Sequence, residues 1–561
     1  MNKLQLLRIA SRSLTLCALA SMAVPALAQR EVILPAEGSV LPRTHVAFRW
    51  KHDLQATSDY FLEVVVDNAQ PDPFLNNPTV AFVAVANSEP RAEVTSGLTW
   101  GTDYAWRVQY LRGPAPLTRV VLRTQRFSTR VLPANVPTPV ITRPLGPGLS
   151  QPGITTFGLN FSALLDSFPA AVDEDGNWIY YWDPGSRTIV DWRIEESDGH
   201  TVFNFGPFVQ NGPGGRGVEG TIDGKVLWIT GRDDEHFSVH HEVLRMPNGN
   251  ILALSHEWRF FPAVVPMAWQ GDYVAEVDRH TRQIVKSWST FDDYSILDFQ
   301  PQTGPGNNWT HGNAAAFDPA TNKVWFSSRL LSRITRIDWA TATGDFHQGH
   351  MFNNGTGLAQ FGHNLHSFQH APEPQPNGNV LLFDNGNLIE PLSAPRQSRA
   401  IEITYDNPGN PTTASIAWEY RGFTAQGAPI FSPFVGDADR LPNGNTLVDF
   451  GASGELHEVD PAGNLVWRMV TPAFPTNLIY RAQRVDKLLH DTPSDTDGDW
   501  DIDLHDLARL QVSYRPMAPG ALVFPDTLSD ADGDGDLDFD DVESFNFWFT
   551  GPGRHEDPQP Q

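Results

Sequence analysis

Along residues 32–129 apolar and polar side chains alternate with a period of two, as in His45-Val46-Ala47-Phe48-Arg49-Trp50 and Tyr60-Phe61-Leu62-Glu63-Val64-Val65-Val66. Successive side chains of a strand point to opposite faces, so such runs between Pro, Gly and Asn predict antiparallel strands with one buried face. A β-sandwich is expected over residues 30–130. Between residues 138 and 485 a turn signature recurs: Asp175-Gly176-Asn177, Pro247-Asn248-Gly249-Asn250, Pro376-Asn377-Gly378-Asn379 and Pro442-Asn443-Gly444-Asn445. Apolar runs such as Ile251-Leu252-Ala253-Leu254 and Val380-Leu381-Leu382-Phe383 follow these turns. A second signature falls between them, in Asp223-Gly224-Lys225-Val226-Leu227-Trp228 and Asp460-Pro461-Ala462-Gly463-Asn464-Leu465-Val466-Trp467. Asn-Gly turns join paired strands, and markers returning at about 70 residues read as one four-stranded blade per repeat. The region has room for about six, which predicts a six-bladed β-propeller in a mainly β protein.

From Asp491 the chain turns acidic. Asp495, Asp497, Asp499, Asp501, Asp503 and Asp506 take positions 1, 3, 5, 7, 9 and 12 of a loop, and Asp530, Asp532, Asp534, Asp536, Asp538 and Asp541 repeat that register. Hard carboxylate oxygens at this spacing suit Ca²⁺, with Asp495, Asp497, Asp499, Asp501, Asp506, Asp530, Asp532, Asp534, Asp536 and Asp541 as the ligands. Trp500 stands where the first loop would carry its sixth-position glycine, whereas the second loop keeps Gly535. Apolar-periodic helices are expected at 507–512 and 542–549. The pair resembles dockerin repeats, which implies a small C-terminal α-helical EF-hand/dockerin-like domain over 491–550, before a disordered tail at 551–561. It also implies a cell-surface or cohesin-like protein partner. In the first region, Leu98 and Tyr104 resemble the tyrosine corner of fibronectin type III domains, so the sandwich is expected to be fibronectin III-like and structural.

Lys3, Arg8 and Arg12 precede an apolar stretch at 14–24 and the small-residue run Ala26-Leu27-Ala28. This predicts a secretory signal peptide over 1–28 and a periplasmic, extracellular or cell-surface protein. The single cysteine, Cys17, falls inside that segment, so the mature chain is expected to have no disulfide. With 40 Lys+Arg against 66 Asp+Glu the net charge is −26, which argues against a nucleic-acid partner.

Candidate chemistry lies in the histidines. His241 and His370 each stand six residues before the proline of a blade turn, and equivalent positions on different blades converge on a central channel. His311 opens His311-Gly312-Asn313, ahead of Ser327-Ser328-Arg329. Three histidines and an arginine would then meet on one face. A rival reading uses His363, His366 and His370, spaced as metal ligands on a helix, for a metal-dependent hydrolase.

The combination of His240-His241, His311-Gly312-Asn313, Arg329, Gln369-His370 and Gly436-Asp437-Ala438-Asp439-Arg440 with the PNGN turns resembles the arylsulfotransferase (aryl sulfate sulfotransferase) family of secreted bacterial enzymes. The resemblance covers residues 138–485. It implies a transferase moving a sulfuryl group from a phenolic sulfate donor to a phenol acceptor, without a nucleotide sulfate donor or organic cofactor. No GxxxxGK[ST] phosphate loop occurs in the chain. By position His370 matches the family's nucleophile, which becomes a sulfohistidine, and His241, His311, Asn313 and Arg329 match the residues around the sulfate. A protonated histidine is expected to donate to the leaving phenolate. Members often carry a disulfide near the nucleophile, which this chain lacks. Two other functions share these features: an aryl sulfatase with water as acceptor, and a non-catalytic binding or adhesion propeller docked through its calcium repeats.

Overall fold

The computed structural model describes residues 34–489 except 51–55, 57, 87–90, 114–116, 135, 137, 161–166, 183–188, 195–200, 206–214, 223–225, 231–237, 262–264, 280, 297–307, 350–359, 362–364, 389–394, 410 and 473–477. The expected signal peptide, the expected calcium loops Asp495–Asp506 and Asp530–Asp541 with the helices expected after them, and His363 lie outside the described residues. Strand dominates, as the period-two pattern predicts. Helix among the described residues is confined to one turn at Thr290–Asp293 and a 3-10 turn at Gly451–Ser453.

The first strands form a five-stranded sheet in the order Ser39–Leu41, Thr118–Thr129, Asp103–Arg112, Tyr60–Val66, Thr79–Val85, with a two-stranded sheet of Val46–Arg49 and Arg91–Val94. Both sheets contribute to one core, in which Phe48 meets Trp106 edge-on at 5.3 Å and Tyr104 stacks on Phe127. The Tyr104 hydroxyl accepts from the Thr99 N–H at 2.7 Å, pinning the corner that the Leu98/Tyr104 spacing predicts. Backbone bonds from Thr44 to Ile179 and from Tyr181 to Pro42, and the Trp100 indole N–H on the Trp178 carbonyl at 2.8 Å, join this layer to the strand Trp178–Tyr181.

Six further sheets succeed one another. The first takes Leu478–Val485, Ile154–Asn160, Ser167–Val172 and Trp178–Tyr181, and the second begins at Ile189–Ile194. The third holds Val239–Arg245, Ile251–Phe261, Val265–Val277 and Ile284–Ser289. The fourth begins Gly312–Asp318, Lys323–Ser328; the fifth His370–Pro374, Val380–Asp384, Arg399–Tyr405; the sixth Asp437–Arg440, Thr446–Phe450, Glu455–Val459. Each packs on the next and the sixth on the first, mainly through first strands, giving a closed, propeller-like ring.

The recurrent PNGN turns have a structural reason. In each, the first Asn side chain accepts from the backbone two residues on, while the second donates to a glutamate of the third strand: Asn250 to Glu276 at 2.7 Å, Asn379 to Glu402 at 2.5 Å, Asn445 to Glu458 at 2.7 Å. Gly249, Gly378 and Gly444 sit between them at positive φ, where a side chain would be strained. The motif therefore ties a hairpin to the strand beside it.

The ring closes twice. The late strand Leu478–Val485 pairs with Ile154–Asn160, and the early strand Val140–Thr142 pairs with Leu465–Val470. Phe157, Leu456, Trp467, Met469 and Ile479 share one fully buried cluster across this seam. Each such side chain contributes about 1.5–3 kcal/mol, so closure rests on apolar burial as much as on strand pairing. At Gly153 φ is +136° and an added Cβ would stand 2.3 Å from the Val485 carbonyl oxygen. Gly153→Ala is expected to lose about 1–3 kcal/mol in denaturant unfolding. Gly148→Ala, also at positive φ but with open space around it, should lose less.

Candidate active site

His241, Asn313 and His370 lie on the first strands of the third, fourth and fifth sheets, with His311 just before Gly312–Asp318 and Arg329 just after Lys323–Ser328, and each first strand is bulged there. Register shifts fall between Val239 and Val243, between Gly312 and Ala314, and between His370 and Glu373. A bulge re-aims a side chain that regular alternation would send to a sheet face. The backbone is left-handed at His241, His311 and Ala371, and again at Phe368 and Val435. For a β-branched residue such as Val435 this is an outlier, and each position stores about 1–3 kcal/mol. Gln369 holds part of the strain: its amide donates to Ser327 Oγ and to the carbonyls of Ser328 and Arg333, and its own carbonyl accepts from Asn313 Nδ2 at 2.8 Å.

His241, His311, Asn313, Arg329 and His370 come together. The His241 and His311 rings lie 5.3 Å apart, and Tyr480 stands 5.9 Å from His241. Arg329 stacks its guanidinium over Phe368 at 4.8 Å and donates through its backbone to the His311 carbonyl and through Nη2 to the Pro433 carbonyl. Tyr480 Oη and Arg481 both donate to the Asn313 carbonyl, while Asn313 Oδ1 is buried without a hydrogen bond.

Hydrogen bonds fix two proton positions. Asn385 Nδ2 donates to the carbonyls of Ser432 and Val435, so Oδ1 faces His370 Nδ1 at 2.6 Å and must accept from it. The lone pair of His370 is therefore on Nε2, where the Val435 N–H donates at 3.2 Å. Asn308 Nδ2 stands 2.9 Å from His311 Nδ1, an amide donor on a ring acceptor, leaving the His311 proton on Nε2.

Burial and charge keep the histidines neutral. Burial, then the Arg329 charge, pushes His370 down to about 3 and His311 well below the usual range. His241 is pushed well down by burial, then by His240 and His311. A protonated histidine, expected from sequence as the donor to a leaving group, is thus disfavoured in the resting site. The fixed positive charge is Arg329, which burial lowers to about 10 and which stays ionised at neutral pH. Arg193, Arg279, Arg399, Arg468 and Arg481 are each paired with a carboxylate. Arg329, among the described residues, meets none.

Both ring nitrogens of His366 are engaged by the amides of Gln369 and Gln348, so His366 and His370 do not form one ligand set. Asn385, Asn308, Val435 and Tyr480 were not legible as site residues. Asn385 sits in Asp384-Asn385-Gly386-Asn387, whose composition reads as an ordinary turn; only its place after the strand paired with His370 marks it.

Three neutral histidines thus surround a half-buried guanidinium that meets no carboxylate among the described residues, an arrangement with room for an anion's charge and a free ring nitrogen beside it. The chain belongs to the arylsulfotransferase (ASST) family, whose sequence profile matches residues 152–509. An arylsulfate sulfotransferase, AssT, of Escherichia coli is 26% identical over 181 residues, covering 28% of this chain and 30% of that relative. The chain thus matches under a third of that relative's length. Among solved structures, a protein of unknown function from Bacteroides caccae covers 60% of this chain and 100% of its own, at 12% identity and a TM-score of 0.36. A virginiamycin B lyase from Staphylococcus aureus covers 58% of this chain and 87% of its own, at 11% identity and a TM-score of 0.28.

Neutral burial has a consequence for stability. His370 and His347 both hold folded values of about 3, whereas an unfolded histidine titrates near 6.5. Between those limits only the unfolded chain takes up the proton. Their contribution is therefore full above about pH 6.5 and is lost as pH falls, at up to ~1.4 kcal/mol per unit for each group. Urea unfolding from pH 8 to pH 5 should show stability falling once pH drops below about 6.5; an unchanged midpoint would contradict neutral burial.

Proposed function

We propose that the protein is a secreted aryl-sulfate sulfotransferase in which His370 Nε2 takes the sulfuryl group from a phenolic sulfate and passes it to a phenol. The observation that carries this reading is Arg329, half-buried beside the neutral histidines and, among the described residues, without a carboxylate. A sulfate ester supplies the missing negative charge. Its equatorial oxygens gain charge-assisted hydrogen bonds from Arg329 and a neutral donor from His311 Nε2–H.

In the first step the Nε2 lone pair gives up the Val435 N–H hydrogen bond and attacks sulfur, the S–O bond to the aryl group breaks, and the phenolate leaves with the bonding pair. The ring becomes cationic, and Asn385 Oδ1 stabilises it by accepting from Nδ1–H. In the second step a phenol oxygen attacks sulfur, the N–S bond returns its pair to Nε2, and the phenol proton is released to solvent. Positioning and electrostatics supply most of the catalysis, as in phosphoryl transfer.

The test is release of a coloured phenol from an aryl sulfate ester, with and without an added phenol. Release is expected to require the acceptor and to fall to background in His370→Ala; Arg329→Met should cost about 10²–10³-fold. Because His370 stays unprotonated down to about pH 3, kcat/KM should not fall between pH 7 and pH 5 through protonation of the nucleophile. Acceptor-independent release would indicate a sulfatase, and no release from any donor would favour a binding propeller.

The acidic repeats at 491–550 are proposed as a Ca²⁺-binding, dockerin-like module that docks a cell-surface or cohesin-like protein. Calcium should raise the melting temperature of a distinct transition in the full chain, and chelation should remove the increase. A thermal profile indifferent to both would leave the segment as a plain acidic tail.

A further inference from the structure

Beside the sulfuryl site, three adjacent strands of the third sheet present His240, His256 and Asp272 to one another. His256 and Asp272 are direct cross-strand partners, and His240 lies on the neighbouring first strand. One ligand atom from each lies within 4.8 Å of the others. Asp272 is buried, at 1% exposure. Its Oδ2 accepts from the Gly312 N–H and the Thr310 hydroxyl. Its Oδ1 stands 3.2 Å from His240 Nε2 and 3.4 Å from His256 Nδ1. Despite that proximity, neither Asp272 Oδ1 nor His240 Nε2 makes a hydrogen bond of acceptable geometry. Asp272 Oδ1 thus faces two ring nitrogens at contact distance at once, as the ligands of one ion do.

We propose that His240, His256 and Asp272 form a binding site for a divalent transition cation of the zinc class. Two imidazoles and a carboxylate are a borderline donor set that suits zinc better than calcium or magnesium. With metal–ligand bonds of about 2.0–2.1 Å, neighbouring ligand atoms of a tetrahedron stand roughly 3.3–3.4 Å apart. The two distances from Asp272 Oδ1, 3.2 and 3.4 Å, lie close to that edge, and the His240 and His256 rings, stacked at 3.8 Å, turn about their side-chain torsions to bring both lone pairs onto the ion. Gln270 Nε2 now holds His256 Nδ1 at 2.7 Å, a hydrogen bond that the cation replaces by taking the same lone pair.

The site bears on the sulfuryl centre through one contact, His240 Nδ1 on His241 Nδ1 at 2.8 Å. Both rings are neutral, so one donates and the other accepts. If a proton on His240 Nε2 faces Asp272, His240 Nδ1 is an acceptor and His241 carries its proton on Nδ1. A cation on Nε2 moves the His240 proton to Nδ1, makes His241 Nδ1 the acceptor, and turns His241 Nε2–H into a donor. The cation thus sets the tautomer of a residue in the sulfuryl site, an outer-shell control of the kind that orients metal-bound imidazoles.

The test uses the full mature chain made without a polyhistidine tag, with excess Ca²⁺ present to occupy the acidic repeats. Zn²⁺ retained after dialysis is measured per chain, and Co²⁺ replaces it for visible absorption. About one equivalent of zinc and the intense bands of four-coordinate cobalt are expected, with binding weakened at least ~10-fold in His256→Ala and in Asp272→Asn. Asn at 272 can still accept from Gly312, so the second variant keeps the local hydrogen bond. His370→Ala should bind zinc as the parent chain does. Zinc absent from the folded parent chain, or equally retained by both ligand variants, would overturn the proposal in favour of a proton-bridged His240–Asp272 pair. No aryl sulfate enters this experiment, so its outcome is independent of the sulfotransferase reading.

Discussion

A strand sends successive side chains to opposite faces, and in a ring of packed sheets both faces of a first strand are taken up by neighbouring sheets. A side chain reaches the central space only where that alternation breaks. The third, fourth and fifth sheets break it at the same place, with a bulge early in the first strand and left-handed residues at His241, His311 and Ala371. Such backbone persists only where its surroundings over-determine it. Gln369, Asn313, Ser327 and the Ser328 carbonyl do so through bonds crossing between the fourth and fifth sheets. The active residues thus depend on closure of the ring, which depends on the two seam strands and the apolar cluster beneath them.

Charge in this space is unlike charge elsewhere in the chain. Overall the protein is strongly acidic, yet the carboxylates near the ring centre, Asp191 and Glu242, are held by Arg193 and Arg481. Arg329 is left with carbonyl and aromatic neighbours only among the described residues. A partly desolvated charge without a counter-charge is costly, so an anion beside Arg329 would stabilise it. The same charge helps strip protons from His311 and His370, which keeps a nucleophilic nitrogen available well into acid. One guanidinium therefore both leaves a positive charge open to an anion and helps keep the neighbouring imidazoles neutral.

Much of this was legible in sequence because it rests on local periodicity. The alternation at 60–66 marks the strand Tyr60–Val66 to the residue, and the PNGN turns mark hairpins because an Asn side chain and a left-handed glycine are needed there. The histidine register was legible for the same reason: His241 and His370 keep one offset from those turns, and equivalent offsets place them on equivalent strands. Asn385 and Val435 left no such trace. They reach His370 from segments that are remote in the chain, one looking like a turn and the other like any apolar residue before Gly436. The metal reading illustrates the same limit. Sequence spacing drew attention to His363, His366 and His370 as a helical set, whereas cross-strand pairing assembles His240, His256 and Asp272, whose 16-residue separations (256 − 240 and 272 − 256) are set by strand and turn lengths that no short motif marks.

His240 and His241 join the two clusters because of the bulge. In a regular strand, neighbours in sequence face opposite sides of the sheet and their rings do not meet. The left-handed turn at His241 and the register shift across Val239–Val243 bring the two Nδ1 atoms to 2.8 Å. His240 stays on the sheet face, stacked on His256 at 3.8 Å, while His241 turns toward His311 and Tyr480. A single irregularity therefore turns His241 toward His311 and joins it by one hydrogen bond to His240, which lies beside Asp272. Straightening that strand would remove both, which is a physical reason for the chain to carry a His-His pair at this position where one histidine would fill the site.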